Sequence, residues 1–167
     1  QTKEVVRKYK DKLNIKYYRF DANMGRVKNY LNVIRMADGE FTWLIGDDDL
    51  LVPNSIEKIL KLIEANLAVD FFYINSFNLS TEYVFSYPQP FDTIDLPCKM
   101  TKFSNYKSEG RLNFFDLIDP KISFDFIGAM FLAVFRKRLW MSNENSLDAR
   151  AIESKKEFSH FDNTFPH

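Results

Sequence analysis

A chain of 167 residues holds one domain's worth of sequence, and 46% apolar with 28% charged residues marks a globular fold able to bury a core. Basic and acidic residues balance at 23 each, so no net field invites nucleic acid, and no stretch reaches the roughly 18 apolar residues of a transmembrane helix. The single cysteine, Cys98, excludes an internal disulfide and fits a reducing compartment, so the expected setting is the cytoplasm.

Residues 2–12 carry Val5, Val6 and Tyr9 on one face among Lys, Arg and Glu, which predicts an amphipathic helix. Residues 15–20 alternate roughly and are rich in Tyr and Phe, which predicts a strand. Asp21-Ala22-Asn23 turns the chain, and Gly25 supplies either close backbone approach or a positive φ at the entry to a helix. That helix is expected over residues 26–36, with Val27, Tyr30, Leu31 and Ile34 toward the core. Asn29 lies off this stripe and reads equally as a solvated position or as one turned toward a ligand.

Residues 41–45 form a short apolar run bounded by Gly39 and Gly46, the pattern of a buried strand in a parallel sheet. Asp47, Asp48 and Asp49 follow at once, where such a strand leaves the sheet at its carboxyl end. Open α/β sheets bind their ligands at that edge. Three adjacent carboxylates repel one another, and Mg²⁺ or Mn²⁺, hard cations that share oxygen ligands with phosphates, offset that repulsion. The competing reading is a solvated acidic turn capping the next helix. That helix is expected from near Pro53, with Ile56, Ile59, Leu60, Ile63 and Leu67 as its apolar stripe. Residues 69–74 read as a further buried strand, and the alternation of helix and strand argues for a parallel-rich sheet.

From 75 to 105 the pattern weakens into a long loop, with a strand expected at 82–87 before Pro88, Pro90 and Pro97. A short helix is expected at 111–118 and an apolar strand at 129–135. The cluster Arg136-Lys137-Arg138 then reads as a solvated helix start, or as a basic site for phosphates or anionic lipid head groups. His160, His167 and Cys98 have no zinc-site spacing, and phosphate-loop, EF-hand and nucleophile-elbow motifs are absent.

Asn23-Met24-Gly25, then Asn29, then Gly39-Glu40 before an aromatic residue, the apolar strand, the Asp triplet and Pro53 together resemble the central block of the family 2 glycosyltransferases, over residues 17–63. The resemblance implies the GT-A fold: an α/β architecture with an open, largely parallel sheet and helices on both faces. The family places two strands before this point, so the chain reads as N-terminally truncated. A piece lacking those strands is expected to show no turnover alone and to associate through its exposed sheet edges. One glycosyltransferase domain is implied over residues 1–167, with 1–80 as the nucleotide-sugar and metal half and 81–167 as the acceptor half.

The chemistry implied is transfer of a sugar from a nucleotide-sugar donor to a hydroxyl of a carbohydrate or lipid-linked glycan, with inversion, in bacterial-type polysaccharide or glycan synthesis. Donor binding then falls to Asn23, Gly25, Asn29 and Asp47, and Mg²⁺ or Mn²⁺ to Asp47, Asp48 and Asp49. The family's usual motif is Asp-x-Asp-Asp; Gly46 stands at its first Asp, which makes Asp48 the expected principal ligand. Asp162, set between Phe161 and Phe165, is the candidate base, with a plain turn before Asn163 as its competing role. The partner expectations are the donor and acceptor, no nucleic acid, peripheral membrane association at the inner face, and an oligomer. Two rivals stand beside this reading. One is a nucleotidyltransferase acting on sugar phosphates, and the other is a non-catalytic carbohydrate-binding or interaction module of the same fold.

Overall fold

The computed structural model describes residues 2–86, 93–95, 100–104, 108–113 and 130–144, and elements are numbered over these. The chain divides into two compact units, Gln1–Asp38 and Gly39–His167, each described by itself.

The first unit opens with α1 (Thr2–Tyr9), which carries Glu4 in its first turn and Arg7 and Lys8 in its last, the arrangement the helix dipole favours. It buries no residue. The amides of Lys12 and Leu13 close it on the Tyr9 carbonyl, both at 3.0 Å. Residues 15–20 are not a strand, contrary to the alternation of their sequence. A strand needs a neighbour's backbone, and none lies beside this segment among the described residues. Instead Tyr18 and Phe20 meet edge to face at 4.9 Å. Lys16 donates to the Met36 carbonyl at 3.1 Å and pairs with Asp38 at 2.5 Å. A cation there suits the carboxyl end of α2 (Arg26–Met36). In α2 the expected stripe holds where it is described: Leu31 and Ile34 are buried and Tyr30 is half-buried.

The second unit is built on a three-stranded sheet. Its strands are β1 (Phe41–Trp43), β2 (Phe71–Tyr73) and, after the short β3 (Phe77–Asn78) and β4 (Thr101–Lys102), β5 (Ala133–Arg136). The spatial order is β1-β5-β2, and both pairings are antiparallel. The expected parallel relation survives between β1 and β2, which run the same way and are joined through α3 (Ser55–Ala65). They are not neighbours, however, because β5 enters between them from the opposite direction. The architecture is mixed α/β, consistent with the GT-A type expected.

Cross-strand partners share a face, so Trp43, Val134 and Phe72 form one rank on one side of the sheet. Val134 and Phe72 are buried with Ile59 of α3, and Phe41, Trp43, Leu62, Ile63, Val69 and Ile74 pack around them. Burying each such side chain contributes about 1.5–3 kcal/mol. Phe135 faces the opposite side, where Trp140 of α5 (Lys137–Glu144) lies against it at 5.5 Å. Helices thus cover both faces.

Four local expectations change. Ile56, Leu60 and Leu67 of the predicted α3 stripe are 55%, 54% and 70% exposed, because the narrow sheet covers only the Ile59 side of the helix. Helix α3 starts at Ser55, with Pro53 in the turn before it rather than in its first turn. The Ser55 amide bonds the Val52 carbonyl at 3.2 Å, and Asn54 takes φ 63° and ψ 11°, the geometry of a type II turn with proline second. Residues 82–87 were expected as a strand, but Thr81–Ser86 forms α4. Ser80 caps it, its hydroxyl accepting from the Tyr83 amide and its carbonyl from that of Val84. Of the helix expected at 111–118, residues 111–113 are irregular and the rest lies outside the described residues. A short 3-10 turn, Met130–Leu132, precedes β5. No helix among the described residues is long and apolar enough to cross a membrane.

Candidate functional site

In the first unit, the Asn23 side-chain carbonyl accepts the Gly25 amide at 3.0 Å and folds residues 23–25 into a tight turn. Gly25 sits at φ 81° and ψ 168°, a conformation essentially restricted to glycine, and so realises the positive φ expected of it. The first turn of α2 begins there, with the Asn29 amide bonded to the Gly25 carbonyl at 3.3 Å and no side chain capping the helix. Asn29 is exposed, away from the buried Leu31 and Ile34. Asn23, Gly25 and Asn29 are therefore brought together by one helix entrance.

In the second unit, β1 ends at Trp43 and the chain runs irregularly through 44–46 into a turn at 47–48. The Gly46 amide donates to Asp49 Oδ2 at 2.6 Å. A methyl group on Gly46 would collide with Asp48 Oδ1 and lie 3.0 Å from Asp49 Oδ2. The tips of the Asp48 and Asp49 side chains thus occupy the space beside Gly46 that a side chain there would take. Asp47 and Asp48 are exposed and Asp49 is half-buried. Among the described residues no three His, Cys, Asp or Glu side chains gather as a metal site. The triplet presents Asp48 and Asp49 on one side. Two carboxylates suit Mg²⁺ or Mn²⁺, which commonly takes one or two from protein and the rest from phosphate and water.

The same edge of the sheet carries the exit of β2 and the approach to β5. The Trp43 indole N–H donates to the Phe131 carbonyl at 2.7 Å, and the Phe103 ring meets that of Phe131 edge on at 5.6 Å. The Ile74 amide bonds the Leu132 carbonyl at 2.7 Å, extending the β2–β5 ladder to this rim.

At the opposite edge Arg136 is buried, 7% exposed, which corrects the reading of that residue as part of a solvated or phosphate-facing cluster, while Lys137 and Arg138 start a helix with Arg138 exposed. Its guanidinium pairs with Glu40 and with Asp70, the latter at 2.6 Å, and donates to the Leu67 carbonyl at 2.6 Å. It also stacks 4.4 Å over the Phe41 ring. Glu40 precedes β1 and Asp70 precedes β2, so one side chain ties the starts of both strands to the end of β5. Arg138 is exposed, and it too reaches Asp70 at 3.3 Å. No local pattern signals this, since the partners lie 96 and 66 residues from Arg136. The candidate base, Asp162, lies outside the described residues, as do Phe161, Phe165, His160, His167 and Cys98.

An α/β unit with paired carboxylates at the carboxyl edge of its first strand can now be set beside known proteins. The profile of the family described as Glycosyl transferase family 2 matches residues 1–135. The chain belongs to that family. It is also 33% identical over 66 residues to a Mycoplasma pneumoniae protein named "Uncharacterized glycosyltransferase MG060 homolog". That match covers 38% of this chain and 22% of that protein. No solved structure matches. Between the two enzyme classes weighed above, membership in glycosyl transferase family 2 favours the glycosyltransferase over the nucleotidyltransferase.

Proposed function

We propose that this family 2 domain moves a sugar from a nucleotide-sugar donor to an acceptor hydroxyl, with inversion and with the help of Mg²⁺ or Mn²⁺. The observation that carries the reading is the convergence of Asp48 and Asp49 on Gly46 at the carboxyl edge of β1. In this reading Asp48 and Asp49 hold the ion, with Asp47 beside them toward the donor. When bound, the ion offsets the charge that develops on the departing nucleoside diphosphate. The Gly46 amide fixes the Asp49 carboxylate, which keeps the pair oriented before the donor arrives. Within the first unit, taken by itself, the tight turn of Asn23 and Gly25 opens the uncapped first turn of α2, whose backbone N–H groups suit an anion, and Asn29 adds an exposed polar side chain. Asp162 is assigned the base that takes the proton from the acceptor hydroxyl as it attacks the anomeric carbon.

The test is calorimetric titration of the full-length protein with UDP and GDP in the presence and absence of Mn²⁺, followed by turnover with nucleotide sugars. Asp48→Asn with Asp49→Asn is expected to remove Mn²⁺-dependent binding while the fold persists. Asp162→Asn is expected to abolish transfer and leave donor binding intact. Undiminished Mn²⁺-dependent affinity in the double variant would overturn the ion assignment, and retained turnover in Asp162→Asn would clear that residue.

A further inference from the structure

The neutral total of this chain hides a polarised one. Ten of the 23 basic residues fall within residues 1–38, against four of the 23 acidic ones, so the first unit carries a net charge of +6 and the remainder −6. The excess is concentrated at the start, where residues 2–20 hold seven basic side chains and only Glu4 and Asp11 as acids. Lys16 is engaged by the Met36 carbonyl and by Asp38. The other six, Lys3, Arg7, Lys8, Lys10, Lys12 and Arg19, are exposed.

The helix sorts these charges onto one side. Positions two apart on an α-helix point in nearly opposite directions, so Lys3 and Arg7 both stand opposite Val5, while Tyr9 shares the side of Val5. The Leu13 amide bonds the Tyr9 carbonyl, which carries the helical turn one step on and sets Lys10 in the row of Lys3 and Arg7. Whatever packs over Val5 and Tyr9 therefore leaves this basic row outward. The same stretch exposes Leu13, Tyr17 and Tyr18, at 59%, 40% and 56%. Tyrosines and lysines in one exposed stretch suit a bilayer interface, where the rings settle at headgroup level.

The spread and the kind of charge select the anion. A row along the roughly 12 Å of α1 suits an extended anionic surface rather than a single phosphate. Four of the six exposed cations are lysines, compact point charges without the planar fork that reads phosphates and base edges bidentately. Basic clusters of this size on an amphipathic helix match the field of an anionic leaflet.

We propose that the first unit docks on an anionic lipid bilayer through the row Lys3, Arg7 and Lys10, with Lys8, Lys12 and Arg19 adding to its field. Docking of this kind depends on the charge of this unit alone and is independent of the sugar transfer proposed above.

Co-sedimentation of the full-length protein with vesicles tests it, one set made of phosphatidylcholine and the other of phosphatidylcholine and phosphatidylglycerol in equal parts. At about 0.1 M salt the protein is expected to bind the mixed vesicles at least ~10-fold more tightly than the neutral ones, and to lose at least ~10-fold of that affinity at about 0.5 M. Each basic group near such a surface is worth about fivefold in partition, so Lys3→Gln, Arg7→Gln and Lys10→Gln together are expected to weaken binding about 100-fold. Glutamine keeps the helix propensity of α1, and an unchanged melting temperature with UDP and GDP affinities within ~2-fold of wild type in Mn²⁺ shows that the variant is folded. Lys58→Gln with Lys61→Gln, exposed on α3 of the second unit, is the control and is expected to change partition less than ~2-fold. Equal binding to both vesicle types, no binding of the wild type to either, an unchanged partition in the triple variant, or an equal loss in the control overturns the proposal. Binding to a mixed-sequence DNA or RNA oligonucleotide as tight as to the mixed vesicles at the same salt overturns it as well.

Discussion

Gly46 and Arg136 show how differently two single positions act. Gly46 matters for the side chain it lacks, since any Cβ meets the carboxylates of Asp48 and Asp49. Gly46→Ala is expected to weaken Mn²⁺-dependent nucleotide affinity by about tenfold, roughly 1.4 kcal/mol, with little change in melting temperature because the loop is exposed. Titration calorimetry beside a thermal melt separates the two effects. Arg136 matters for burial. Removing it leaves the Leu67 carbonyl without its donor and Asp70, partly exposed, with Arg138 alone beside it, and Arg136→Ala is expected to cost roughly 1–3 kcal/mol in urea denaturation. Glu40 is solvated, with 70% of its side chain exposed, so Glu40→Gln is expected to cost only about 0–1 kcal/mol. Comparable losses from the two substitutions would contradict this account. Gly25→Ala forces a side chain into φ 81° and ψ 168°, a strain of about 1–3 kcal/mol that the same denaturation series would read.

Helix α3 carries two apolar faces, and only one is used. Ile59 packs under Phe72 and Val134, so Ile59→Ala is expected to destabilise by about 2–5 kcal/mol. Ile56→Ser and Leu60→Ser fall on the exposed side and are expected to stay within about 0.5 kcal/mol of wild type. The periodicity of the helix cannot separate these faces, because it records which residues are apolar and not how wide the sheet beneath them is. The same limit explains α4. Its apolar Tyr83, Val84 and Phe85 read as a strand, yet the Ser80 cap, with no partner strand beside 81–86 among the described residues, makes a helix the better local solution. For residues 15–20 the sequence favours a strand, and with no neighbour among the described residues the segment stays irregular.

For the whole molecule, β1 and β2 are the outer strands of the described sheet, and each has one side with no strand beside it among the described residues. Open edges next to exposed apolar side chains such as Phe71 and Ile56 favour association. Light scattering on this 167-residue chain is expected to give a mass that rises with concentration. A single species of 19.8 kDa at all concentrations would contradict that.

The order of helices and strands around the acidic triplet, the helix over 26–36, the positive φ of Gly25 and the family itself were legible in the sequence. The helix and the positive φ are signalled within a dozen or so residues, by periodicity and a glycine, and the element order and the family by short motifs in order over residues 17–63. Folding in three dimensions alone decided that β5 runs antiparallel between β1 and β2, and that Arg136 is buried among partners 66 and 96 residues away. It also decided that Asp48 and Asp49 converge on Gly46, and that the Asn75 side chain bonds the Ser104 carbonyl, 29 residues on. Such meetings depend on which strands become neighbours. Local pattern fixes what each segment prefers, whereas the hydrogen-bonded edges and buried charges that remain are satisfied only by residues the fold brings from far along the chain.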